Sequence, residues 1–129
     1  MTRYLLDTTA LIDASKRREP ATSRIRAMIA AGDEVCVTAI GIAEFYSGVA
    51  PGERSVRRDF LDSLRYLQIT RDAARRAGED RYDFARRGQT LSTPDALIAA
   101  AAREHQAIVV TDNVSDYPQS DIQVLALNA

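Results

Sequence analysis

The chain has 129 residues, 46% of them hydrophobic and 27% charged, and a net charge of −1. This fits one compact domain, residues 1–129, that buries a core without disulfides or structural metal. Cys36, the single cysteine, excludes an internal disulfide; no Cys/His cluster points to zinc, and the charge balance offers no global basic field.

Arg3 to Asp7 reads as a short buried strand, and Thr8 or Thr9 can cap a short helix over Ala10 to Ser15. Lys16 to Pro20 is a polar loop. Ile25, Met28 and Ile29 recur at spacings of three and four, so Ala21 to Ala31 is an amphipathic helix that Gly32 stops. Glu34 to Thr38 is a valine-rich strand in which Cys36 serves as a small core residue. Thr38 caps a helix over Ala39 to Val49, and Pro51-Gly52 breaks the chain. Val56, Phe60, Leu61 and Leu64 predict a helix over Arg54 to Arg65. A strand over Tyr66 to Ile69 follows. Thr70 caps a long arginine-rich helix, Arg71 to Arg87, ending at Gly88. Ser92-Thr93-Pro94 starts another helix, with Leu97, Ile98 and Ala101 facing the core. Ala107 to Val110 and Ile122 to Leu127 are the last strands. Strands and helices alternate, which predicts an α/β fold with a parallel sheet and helices on both faces.

The N-terminus enters its first strand without a basic leader, and no run approaches the roughly 18 apolar residues of a membrane span. A cytoplasmic protein with no membrane partner is expected.

Acidic residues stand where stability alone does not ask for them. Asp7 closes Tyr4-Leu5-Leu6, and Glu44 interrupts an apolar helix. Asp95 opens the alanine-rich one, and Asp112 and Asp116 follow Ile108-Val109-Val110-Thr111. Each has a structural explanation: capping for Asp7, the helix dipole for Asp95, turn chemistry for Asp112 and Asp116. Glu44 resists one most, because burying an unpaired carboxylate costs several kcal/mol. In parallel α/β folds, ligands bind at the carboxyl ends of the strands. Carboxylates converging there would repel unless a cation lay between them, and an all-oxygen set favours Mg²⁺ or Mn²⁺. Such a site supports phosphodiester hydrolysis.

All basic residues but Lys16 are arginine. Arg57, Arg58, Arg75, Arg76, Arg86 and Arg87 are candidates for gripping RNA phosphates, against the plainer reading of solvated helix faces. His105, the only histidine, suits the dipole of the helix it ends.

These runs also carry a resemblance. Leu6-Asp7-Thr8-Thr9-Ala10-Leu11-Ile12 resembles the opening motif of PIN-domain ribonucleases. Thr38-Ala39-Ile40 with Ala43-Glu44-Phe45 resembles their second motif, and Pro94-Asp95-Ala96-Leu97-Ile98-Ala99-Ala100 their third. Val110-Thr111-Asp112-Asn113 through Asp116-Tyr117 resembles the fourth. Order, spacing and length are similar to those of VapC-type toxins of toxin–antitoxin pairs. The resemblance implies a PIN-like three-layer α/β/α fold with a mainly parallel sheet of four to five strands. It implies an Mg²⁺- or Mn²⁺-dependent endoribonuclease leaving 5′-phosphate and 3′-hydroxyl ends, restrained by a VapB-type antitoxin and forming a homodimer.

Carried over, Asp7, Glu44 and Asp95 are the metal-site and catalytic acids, with Asp116 favoured over Asp112 as the fourth. Thr8, Thr111 and Asn113 support them. Thr9 stands where the family commonly has serine, and Tyr117 where it commonly has phenylalanine. Ile25, Met28, Ile29, Phe45, Tyr46, Val49, Phe60 and Leu64 could anchor partners, though core is the simpler role for most.

A haloacid-dehalogenase-type phosphatase would need an acid at Thr9 and a phosphate-binding lysine. A receiver domain fails on the same lysine, and no glycine-rich loop exists for nucleotide binding. The remaining alternative is a catalytically silent PIN-like module that binds RNA or protein.

Overall fold

In a computed structural model describing residues 1–128, the strands are β1 (Arg3–Leu6), β2 (Glu34–Thr38), β3 (Arg65–Leu67), β4 (Ile108–Thr111) and β5 (Val124–Ala126). The helices are α1 (Thr8–Ser15), α2 (Ala21–Ala30), α3 (Ala39–Ser47), α4 (Arg54–Ser63), α5 (Arg71–Arg86) and α6 (Thr93–His105). Short 3₁₀ turns cover Pro51–Glu53 and Val114–Asp116. The five strands form one parallel sheet in the order β3-β2-β1-β4-β5. Leu5 sits in register with Cys36 on one side and Val109 on the other.

The order reverses at β1: later strands go to β2 and β3 on one side and to β4 and β5 on the other. Such a switch point leaves a crevice at the carboxyl ends of β1 and β4. Side-chain alternation along the strands divides the core in two. Leu6, Val35, Val37 and Val110 pack with Leu11, Ile25 and Leu61 from α1, α2 and α4. Leu5, Cys36, Leu67 and Val109 pack on Ile98, Ala99 and Ala102 of α6, with Tyr117 beside them. Ala73 and Ala77 then seat α5 against α6. Each large aliphatic side chain so buried contributes roughly 1.5–3 kcal/mol.

Most predicted elements form, with ends moved by a few residues. Two differences bear on the site. α1 begins at Thr8 because Asp7, not a threonine, is its N-cap: Asp7 Oδ1 accepts from the Ala10 amide at 3.1 Å. α3 buries Gly41 and Phe45, so Glu44, one residue before Phe45, lies on the exposed side; the expectation of a buried Glu44 is overturned. Gly41 makes this packing possible. A Cβ there would stand 3.2 Å from Leu11 Cδ1, so any larger residue would require the buried Leu11 side chain to shift. Thr38, Thr70 and Ser92 cap α3, α5 and α6 as the sequence suggests. Among the described residues, no helix is long and apolar enough to cross a membrane.

Candidate functional site

Asp7 closes β1 at the switch point, and its amide donates to Val110 O at 3.1 Å, which ties it to β4. The side chain is buried, with 4% exposure. Thr9 Oγ1 donates to Asp7 Oδ1 at 2.7 Å. That uses the only hydrogen of Thr9, so in its 3.4 Å contact with Thr111 Oγ1 the Thr111 hydroxyl is the donor. Thr9 Oγ1 also accepts from the Asp112 amide at 3.0 Å, and Thr111 Oγ1 accepts from the Asn113 amide at 2.9 Å. Thr9, not singled out as a supporting residue in the sequence, is thus the hub that joins α1 to the β4 turn. A hydroxyl two residues after an acid at a helix start was the available signal.

Asp95 lies in the first turn of α6, where Ser92 Oγ accepts its amide at 3.2 Å. Tyr117 brings it to Asp7. The Tyr117 hydroxyl lies 2.9 Å from Asp7 Oδ2 and 3.4 Å from Asp95 Oδ1. Burial, and the nearby Asp116 and Asp7 carboxylates, push the Asp95 carboxyl above its ordinary range; Ser92 and Tyr117 oppose this. Burial and the flanking carboxylates also push the Tyr117 phenol up, so it remains a donor. Asp116 accepts from Asn113 Nδ2 at 2.9 Å and is half-buried.

Glu44 approaches from α3. Its Oε1 accepts from Thr8 Oγ1 at 2.6 Å, one residue beyond Asp7. Asp112 lies within electrostatic reach of Asp7 but has other hydrogen-bond partners. Its carboxyl bonds Asn128 and Asp13 instead, and Asp13 also accepts from Arg18 Nη1 at 2.9 Å. Burial and then the Asp13 carboxyl raise Asp112 to about 6. Asp13, hydrogen-bonded to Asp112, is lowered. The structure therefore brings Asp95 within electrostatic reach of Asp7 and Asp116, bonds Glu44 to Thr8, the residue after Asp7, and holds Asp112 on Asp13 and Asn128 while still within reach of Asp7.

Among the described residues, none of Asp7, Glu44, Asp95 and Asp116 forms an ion pair with a basic side chain. Nor do any three Asp, Glu, His or Cys side chains among them make a ready-formed metal cluster. The donors nevertheless fit a magnesium-class ion. Such an ion takes oxygen ligands, is bound through one or two carboxylates, and keeps several waters. An unneutralised carboxylate pair supplies the charge it needs.

The six arginines fall into separate places. Arg57 is half-buried, donating to Ser15 O at 2.7 Å and Glu53 Oε2 at 3.0 Å. Arg58 faces Asp62 at 3.8 Å, and Arg75 pairs with Glu79 at 2.9 Å. Arg76 meets Asp80 and Asp121, each at 3.5 Å, near Arg103 at the far end of α6 from Asp95. Arg86 and Arg87 stack on Tyr82 and Phe84. They end α5, and residues 88–92 then lead directly to the start of α6 and Asp95.

Elsewhere, a cavity of about 650 Å³ opens between α2 and α4. Ile29, Val56 and Phe60 line it, with Lys16, Arg26 and Arg57 beside them. Ile29 and Val56 are exposed there. Ile25, Met28, Phe45 and Leu64 belong to the core.

The model of the PIN domain family matches residues 4–115. The chain belongs to the PIN domain family. It is 32% identical over 122 residues to the ribonuclease VapC2 of Haemophilus influenzae, the match covering 91% of each chain. A tRNA(fMet)-specific endonuclease VapC of Shigella flexneri is 27% identical over 122 residues, again covering 91% of each. The DNA-bound VapBC complex of Salmonella typhimurium has a similar chain at a TM-score of 0.82 and 25% identity, covering 97% of this chain and 98% of that one. These relatives place the PIN domain with the VapC ribonucleases.

Proposed function

We propose that this PIN domain is a divalent-metal-dependent endoribonuclease, the toxin of a VapBC-type toxin–antitoxin pair, with Mg²⁺ or Mn²⁺ as its ion. The observation that best supports this is the Asp7–Asp95 pair, drawn to one hydroxyl at the switch point without a basic partner among the described residues. A bound ion of this class polarises a non-bridging phosphate oxygen and lowers the pKa of the attacking water.

Asp7 and Asp95 would hold the ion, and Glu44 would approach from the α3 side. Asp116, which accepts from Asn113, would take the proton of the water. The water oxygen would bond phosphorus as the bond to the 3′-oxygen breaks, and the departing oxygen would take a proton from solvent, leaving a 5′-phosphate and a 3′-hydroxyl. Arg86 and Arg87, at the Asp95 end of α5, would take the RNA backbone. Arg75 and Arg76 already answer acidic neighbours and are weaker candidates.

The cavity between α2 and α4 would receive a helix of the VapB-type antitoxin. Its apolar floor and basic edge suit an amphipathic segment with acidic flanks. Homodimerisation belongs to the same reading. Cleavage of total RNA with Mg²⁺ or Mn²⁺, with and without EDTA, tests it. Activity that requires the ion and disappears in Asp95→Asn is expected. Equal activity in both proteins, or RNA binding without cleavage, would contradict it.

A further inference from the structure

Tyr117 is a core residue with a polar tip in the site. Its ring is buried at 3% exposure against the α6 side of the sheet, so little but the hydroxyl's own rotation is free. The hydroxyl has one hydrogen and two acceptors within reach, Asp7 Oδ2 at 2.9 Å and Asp95 Oδ1 at 3.4 Å. The shorter contact takes the hydrogen, and the longer one is its alternative.

Counting donors shows what this does to Asp7. Oδ1 receives two hydrogen bonds, from Thr9 Oγ1 and the Ala10 amide. Oδ2 receives one, from Tyr117. A carboxylate oxygen offers about two acceptor positions. Oδ1 is filled, and among the described residues the open position is on Oδ2, the oxygen that Tyr117 holds. A phenylalanine here would leave Oδ2 without its protein donor. The Asp7 and Asp95 charges would then face each other with no neutral group between them.

We propose that Tyr117 is a positioning residue for cation binding, its hydroxyl fixing the Asp7 carboxylate and its spacing from Asp95 before the ion arrives. This rests on the reading of Asp7 and Asp95 as the ion-holding acids. Hydrogen bonds to ligating carboxylates typically change metal affinity by 10–100-fold when removed. Tyr117→Phe keeps the ring and removes only the donor.

The test is Mn²⁺ binding to purified protein, followed by the electron paramagnetic resonance signal of free Mn²⁺ and needing no RNA. Wild type should bind Mn²⁺, and Tyr117→Phe should bind it about 10-fold more weakly with an unchanged circular dichroism spectrum. Val109→Ala loosens the same core without touching the hydroxyl and should bind within about twofold of wild type. Unchanged or tighter binding by Tyr117→Phe would overturn the proposal, and so would equal weakening in Val109→Ala. Should Tyr117→Phe fail to fold, the ¹³Cζ resonance of Tyr117 in labelled wild type decides. It should move on Mg²⁺ addition, and a fixed resonance would overturn the role. A wild type that binds no Mn²⁺ would sink the metal site itself, and this inference with it. Normal wild-type binding with an unaffected Tyr117→Phe would sink the inference alone.

Discussion

Asp7 has two duties that two substitutions can separate. It caps α1 through the Ala10 amide and receives the buried Tyr117 hydroxyl. Asp7→Ala removes the cap, worth about 1 kcal/mol. It also leaves the Tyr117 hydroxyl only its longer contact with Asp95, at about 1 kcal/mol. Together these give roughly 2 kcal/mol, a fall in Tm of about 7 °C at the usual unfolding entropy per residue. Asp7→Asn keeps an oxygen for the cap and removes the charge that repels Asp95, so its Tm should stay within about 3 °C of wild type. Both variants should lose RNA cleavage. Thermal melts in EDTA, followed by circular dichroism, read the stability difference without metal. If Asp7→Ala melts with Asp7→Asn, the cap and hydroxyl arguments are wrong.

Other outcomes follow from neighbouring groups. Asp112 is an acid whose folded pKa, about 6, lies above its ordinary 3.8. Its protonated form therefore adds stability that is full below about pH 4 and is lost as pH rises through about 6. Asp112→Asn should melt like wild type near pH 4 and be more stable at pH 7.5 by roughly 1 kcal/mol, after discounting for solvent screening; denaturant titrations in EDTA at the two pH values would show a difference of zero if the pairing with Asp13 is absent. Glu44→Gln removes an exposed charge while keeping an acceptor for Thr8, so stability should stay within about 0.5 kcal/mol. Its cleavage rate should fall at least tenfold, and retained activity would remove Glu44 from the site. Replacing Arg86 and Arg87 by alanine should flatten the salt dependence of RNA binding by about 0.7 per lost phosphate contact. Arg75→Ala should leave the slope unchanged, and the reverse ranking would move the RNA path to the other end of α5.

Local signals were legible in the sequence because they act over a few residues. The valine-rich β2, the Thr38, Thr70 and Ser92 caps and the apolar β4 depend on near neighbours alone. The order of the acids made a site at the strand ends an expectation. Ala39, Ile40, Ile42 and Ala43 give α3 no visible polar side, so the exposure of Glu44 is set by tertiary packing, with Gly41 and Phe45 on the buried face. Asp7 and its two following threonines offer equivalent capping groups on paper, and the turn out of β1 chooses between them. Asp112 pairs with Asp13, 99 positions earlier in the chain, a contact no local pattern encodes. The same holds for Tyr117, whose hydroxyl reaches Asp7 across 110 positions. Where its ring packs and its tip ends depends on the whole sheet.

On the proposed reading, Asp7 and Asp95 together hold one divalent ion. Crystals soaked in MnCl₂ and measured near the manganese absorption edge test it directly. A single strong anomalous peak between the Asp7 and Asp95 carboxylates, absent from Asp95→Asn crystals, is the expected result. A peak elsewhere, at Asp13 and Asp112 for example, or none at saturating Mn²⁺, would contradict the account.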